Sequence, residues 1–384
     1  MNVRALLVLL AGLSLAGCGL FDGKDDATKP MGLVDFDATV PVARAWTSSV
    51  GSGLGKSAPG LAPWLHEGLI WAAGRKGRVA AIDLASGRTV RRFDFDLPVS
   101  AGPSVFGRTL LLGLMNGQVL VADAETGEIR WRAQLSSEIL AHPVLADGRV
   151  VVRCIDGRVF ALDAETGLRQ WVYDRSVPLL TLRGNSAPLV RAGQVLVGHD
   201  DGAVSALSLA SGELLWEQRV GTPEGRSELD RLADIDGPMA IVGLDLYAAS
   251  RRGRATSITL DSGRLLWVKE LGSASGLAVE RTRLALTDPG DTVWMLDRRS
   301  GSTQWSNEQL LRRGLTRPVM QGNFVAVADS EGYIHWLDAD SGSFVARVRG
   351  SRNSPATAPL VAGNLLVLMD VEGRLSAWRV GAGS

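Results

Sequence analysis

Cysteine, histidine and tyrosine are scarce in this chain, with 2, 4 and 3 copies in 384 residues. Two cysteines cannot build a multi-disulfide scaffold or a four-cysteine zinc site. The histidines (His66, His142, His199 and His335) are dispersed, and no pair has metal-ligand spacing. No Gly-x-Ser-x-Gly elbow and no phosphate-cradling glycine loop occurs. An excess of one charge is also missing. The 41 Lys+Arg balance 41 Asp+Glu without a block of five or six like charges, which argues against nucleic acid as a partner. Beyond the first 15 residues no stretch approaches 18 uninterrupted apolar positions, so the rest reads as soluble. At 46% hydrophobic and 21% charged, the remaining composition suits a packed protein.

The amino terminus reads as an export signal. Arg4 supplies a positive start, and Ala5 to Leu15 form an apolar stretch too short for a stop-transfer helix. It ends in Leu15-Ala16-Gly17-Cys18, which resembles the bacterial lipobox, where the cysteine thiol takes a diacylglyceryl group. Residues 1–17 are therefore expected as a lipoprotein signal peptide and Cys18 as the lipidation site. Gly19 follows where an aspartate usually retains such proteins at the inner membrane, so the resemblance implies outer-membrane localisation, facing the periplasm. Residues 18–42 are expected as the lipidated cysteine and a flexible tether, with a typical span of roughly 25–30 Å.

A turn signature ending in glycine sets the architecture. It reads Asp83-Leu-Ala-Ser-Gly87, Asp123-Ala-Glu-Thr-Gly127 and Asp163-Ala-Glu-Thr-Gly167, with looser copies ending at Gly212, Gly263, Gly301 and Gly342. The glycines are 40, 40, 45, 51, 38 and 41 positions apart, the period of one repeated supersecondary unit. An aspartate that bonds amides further on and a glycine free to take positive φ make a hairpin turn. Apolar runs such as Val119-Leu-Val-Ala122 precede the turns and fit strands covered on both faces. Four positions after the glycine stands Trp131, Trp171, Trp216, Trp267 or Trp305, most simply as packing between units. Each unit reads as four antiparallel strands, the blade of a β-propeller.

Unit openings near 58, 102, 142, 187, 237, 276, 317 and 358 predict eight blades. The eighth lacks an outer strand, while residues 43–48 around Trp46 form a strand with no blade before it. An open β-solenoid, or seven blades with an added strand, would also hold the repeat. An orphan strand at one end and a missing one at the other favour a ring closed by the amino-terminal strand. The fold expected for residues 43–384 is thus all-β, an eight-bladed propeller.

The blade resembles the quinoprotein type, and no Trp-Asp dipeptide marks the repeats as WD40. Lipobox, tether and eight such blades resemble the BamB family of lipoproteins of the bacterial β-barrel assembly machinery. Three segments strengthen the likeness: Leu179 to Pro188, Glu228 to Asp236, and Asp329 to Trp336. Two of them coincide with an irregularity of spacing. Blade Trp to opening Pro takes 12 residues from Trp131 and 13 from Trp305, but 17 from Trp171 and 22 from Trp216. Two consecutive inter-blade connections are therefore enlarged on one face, where binding function concentrates. Leu180 and Leu182 offer apolar anchors, Arg183 a five-donor fork, and Asp234 and Asp236 an acidic pair. Mutual bracing of Arg183 and the aspartates would explain the same residues.

The resemblance implies that Leu180, Leu182, Arg183, Asp234 and Asp236 contact BamA through its POTRA region. Through BamA it implies the other assembly lipoproteins as partners, with unfolded outer-membrane proteins as further candidates. The expected protein is a non-catalytic scaffold with no cofactor and no metal. The rival is a periplasmic dehydrogenase dependent on pyrroloquinoline quinone, whose family shares the blade. Those enzymes typically carry a vicinal disulfide, and this chain has no Cys-Cys pair; Cys154, between apolar neighbours, reads as a core residue.

Overall fold

The computed structural model describes residues 29–55, 60–178, 186–221, 233–251 and 253–381. Eight four-stranded antiparallel sheets form the ring, and among the described residues there is no helix. Blades one to seven span 64–94, 99–134, 144–173, 189–219, 240–269, 277–307 and 319–349. In the eighth, the amino-terminal strand Val42–Ser49 pairs antiparallel with Arg374–Val380 as the outermost strand. This is the closure the sequence predicts. No blade is left with an unpartnered seam.

Second and third strands, such as Leu69–Ala73 and Arg78–Asp83, are buried almost throughout, because neighbouring blades cover both their faces. The recurring tryptophans join blade to blade. Trp131 Nε1 donates to the Ala164 carbonyl at 2.9 Å, and Trp171 and Trp216 do the same to Leu209 and Leu260. Each indole lies over the turn glycine of the next blade. At Gly263 (φ +70°) an added Cβ would stand 2.6 Å from the Trp216 ring, so the position excludes any larger residue. In blade one, where Arg91 replaces the tryptophan, Phe93 covers Gly127 instead. The turn aspartates behave as expected. Asp163 Oδ1 accepts from the Thr166 amide and hydroxyl, both at 2.8 Å, and these bonds hold its carboxyl below the usual range.

Two faces follow from the strand order. Connections from an outer strand to the next blade, and hairpins between second and third strands, lie on what we term the upper face. The Asp-to-Gly turns lie on the lower face.

Part of the expected tether is not free. Residues 29–41 run down blade seven from upper to lower face before entering the closing strand. Met31 N donates to Leu311 O, and Thr39 N and Val40 N both donate to Val345 O. Val34 and Phe36 pack against the apolar cluster shared by blades six and seven. The tether boundary expected at 42 therefore differs, because two apolar side chains find cover there.

Candidate docking face

Blades three and four, joined by the first enlarged connection, are tied by a buried ion pair. Arg153, at the end of strand Arg149–Arg153 in blade three, reaches across to Asp200 in an upper-face hairpin of blade four. Arg153 Nη2 and Asp200 Oδ1 are 2.6 Å apart, both side chains almost fully buried. Burial pushes the Asp200 carboxyl upward, with the Arg153 charge opposing it. Beside it, Arg175 donates to Asp201 at 2.5 Å and pairs with Glu217. Glu217 accepts in turn from Ser205, whose hydroxyl contacts His199 Nε2 at 3.0 Å. Burial, with Arg153 and Arg175 adding repulsion, holds His199 neutral. These groups brace the two blades at the feet of both insertions.

Of the five expected contact residues, Leu180, Leu182 and Arg183 lie outside the described residues, as does Cys18. Asp234 and Asp236 are described, and they stand at the foot of the second insertion. Asp234 is only 1% exposed. Ile235 N donates to His199 O and Arg251 N to Asp234 O, stitching this stretch across the blade-four hairpin and onto blade five. Ile235 itself is fully buried in the core between blades four and five. Burial and the nearby carboxylates of Asp234 and Asp200 push Asp236 up to about 7, against the pull of Arg153 and Arg251. An acid so held gains most from a cation brought close to it.

A second feature of this sector escapes the repeat reading. Among the described residues, eight of the ten exposed large apolar side chains belong to blades three to five or the connection after blade three: Leu168, Val172, Val177, Leu214, Leu215, Leu244, Leu266 and Val268. Five lie on the outer strands Arg169–Tyr173, Leu214–Arg219 and Leu265–Lys269, so they form one side of the rim. Clustered apolar exposure of this kind marks interaction surfaces. The sequence does carry a signal for it. The residue before the blade tryptophan is Leu215 in blade four and Leu266 in blade five, but Arg130, Gln170 and Gln304 in blades two, three and six.

Among the described residues no group of three or more His, Cys, Asp or Glu side chains is arranged to hold a metal. Cys154 is buried in the core of blades two and three, and burial raises its thiol.

The family profile described as outer membrane protein assembly factor BamB matches residues 75–307. The chain belongs to the BamB family. A family member from Xanthomonas campestris pv. campestris is 40% identical, covering 99% of this chain and 98% of its own. The crystal structure of BamB from Moraxella catarrhalis matches with a TM-score of 0.80 at 28% identity, over 88% of this chain and all of that one. A quinohemoprotein alcohol dehydrogenase from Comamonas testosteroni also superposes, with a TM-score of 0.69 over 92% of this chain and 79% of its own. At 15% identity that likeness shows the fold alone. Family membership favours the assembly reading over the dehydrogenase.

Proposed function

We propose that this protein is a non-catalytic, lipid-anchored scaffold of the outer-membrane β-barrel assembly complex, in the periplasm at the outer membrane. Its insertions dock the POTRA region of BamA and so help barrel precursors reach the subunit that inserts them. One observation carries the reading. The two connections that the sequence spacing shows to be enlarged join blades three, four and five, where the described residues form a braced, buried base beside a rim whose outer strands expose leucine and valine. A rigid base with variable loops above it is how propellers build binding surfaces.

Within this reading the residues divide by role. Leu180, Leu182 and Arg183 meet the partner directly. Asp234 and Asp236 act from below, fixing the second insertion and presenting acidic potential to a basic partner group. Calorimetry with the purified POTRA region tests the proposal. Arg183→Ala, or Leu180→Ala with Leu182→Ala, should each cost about 2 kcal/mol, roughly thirtyfold in affinity, with little change in melting temperature. Undiminished binding by both variants would exclude this face. For the anchor, mass spectrometry of the mature protein should find residue 18 as an acylated amino terminus, and Cys18→Ser should leave the membrane fraction.

A further inference from the structure

Residues 29–40 are held by a cluster that the repeat pattern does not require. Arg313, in the connection between blades six and seven, donates from Nη1 to the Met31 carbonyl at 2.7 Å. Its Nε donates to Asp329 Oδ2 at 2.8 Å and its Nη2 to Glu331 at 2.5 Å. Arg312 Nε takes the Lys29 carbonyl at 2.8 Å. Arg347, on outer strand Phe344–Arg349, donates from Nη1 to the Val34 carbonyl at 2.9 Å. Its guanidinium carbon lies 4.9 Å from the centroid of Phe36, which stacks on Phe344 at 5.3 Å. Between the two arginines stands His335, buried in blade seven. Arg347 Nε can only donate, so His335 Nδ1 accepts at 3.1 Å and Nε2–H points to Asp329 Oδ2 at 2.9 Å. A continuous chain of charged hydrogen bonds thus fixes the leading segment.

The direction of this clamp is informative. Met31 and Lys29 bond to residues 311–313, in an upper-face connection, and Arg313 bonds the upper-face hairpin at Asp329 and Glu331. Val40 bonds to Val345, near the lower end of its strand, and Val42 pairs with Val380 before the closing strand climbs to Ser49 opposite Arg374. Toward the amino terminus, the chain leaves the ring on the upper face. That is the face of the two insertions.

We infer that the clamp makes the insertion-bearing face the membrane-side face of the ring, with the partner engaged in the gap between that face and the headgroups. The inference rests on the lipid anchor and docking face proposed above. Eleven residue steps separate Cys18 from Lys29. Fully extended they reach about 40 Å, and as a flexible chain typically about 18 Å. Drawn out toward its extended limit, the linker opens a gap of about 30 Å, the diameter of a small globular domain. Turning the lower face to the membrane would require the same linker to pass the rim as well, a further 20 Å or so of strand length.

The test uses the lipidated full chain in vesicles of phosphatidylethanolamine and phosphatidylglycerol carrying a nitroxide headgroup lipid. Fluorophores are attached to single cysteines at exposed upper-face positions (Asn116→Cys, Glu372→Cys) or lower-face ones (Glu125→Cys, Glu165→Cys). Upper-face labels should be quenched at least about twofold more. Equal or inverted quenching overturns the inference, and failure to join vesicles overturns it together with the anchor. Arg347→Ala combined with Phe36→Ala should erase the difference, and a persistent difference would refute the clamp as its cause. Hydrogen exchange on the unaltered protein supplies a check independent of variant folding. The Met31, Thr39 and Val40 amides should be protected, and free exchange at all three refutes the clamp. Detergent-phase binding to the POTRA region is read separately, so its loss with orientation intact counts against the docking reading alone.

Discussion

Replacing Asp236 by asparagine should stabilise the protein at neutral and alkaline pH and leave it unchanged at pH 4. In the folded chain burial and two carboxylates raise Asp236 from 3.8 to about 7. The sign follows from linkage. Between those values the unfolded chain has lost its proton while the folded chain keeps one, so stability falls as pH rises through this window. Roughly three pH units at ~1.36 kcal/mol each give an upper bound of about 4 kcal/mol at pH 8. Asparagine cannot ionise, so the variant loses this decline. The turn aspartates act oppositely. Their carboxyls are lowered, so they lose stabilisation as pH falls toward the acid range, equally in both proteins. Urea midpoints at pH 4, 6 and 8, followed by tryptophan fluorescence, give the comparison. Stability curves that run parallel across that range would refute the buried, acid-flanked placement of Asp236.

Two predictions concern the ring. Trp216→Ala removes a nearly buried indole and its bond to Leu260, and should cost about 3–5 kcal/mol in chemical denaturation; Gly263→Ala, which meets the same ring at a positive φ, should cost at least 1 kcal/mol. Deleting residues 42–49 removes the outer strand of blade eight with Trp46 and should lower stability by several kcal/mol; an unchanged thermal transition would contradict closure by that strand.

The blades were legible because their signals are local. An aspartate, a glycine four positions later and a tryptophan four beyond recur at a near-constant period, and each serves the same turn or the next blade. The closing strand was legible by subtraction, since one end lacked what the other had in excess. The clamp was not, because its partners lie as far apart as Val34 and Arg347, 313 positions. Phe36 stands among Leu33, Val34 and two aspartates, and nothing local names the blade it packs against. Asp234 and Asp236 read as a surface pair for a similar reason. The arginine that faces their neighbour Asp200 comes from another blade, 47 positions earlier. Leu215 and Leu266 were readable in principle, as breaks in an otherwise polar position, but the tryptophan beside them dominates the repeat.

The brace and the docking surface are complementary. A buried arginine–carboxylate pair is weak support for stability, because desolvation offsets much of its attraction. What such a pair does well is fix register, since half of it cannot be moved without exposing an unpaired charge to the interior. Arg153 and Asp200 tie blade three to blade four, while Arg175 ties the end of blade three to Asp201 and Glu217. The tryptophan contacts already hold the lower face together. The ionic ties therefore act where the tryptophans do not, at the upper face, between blades whose connections have been enlarged. A loop that must meet a partner in one geometry gains affinity when its feet do not move, because less motion is lost on binding. His199, neutral and bonded to Ser205, and Asp200, bonded to Arg153, are thereby committed to holding the base. In the proposed reading, binding is left to the two insertions and to the apolar rim beside this base.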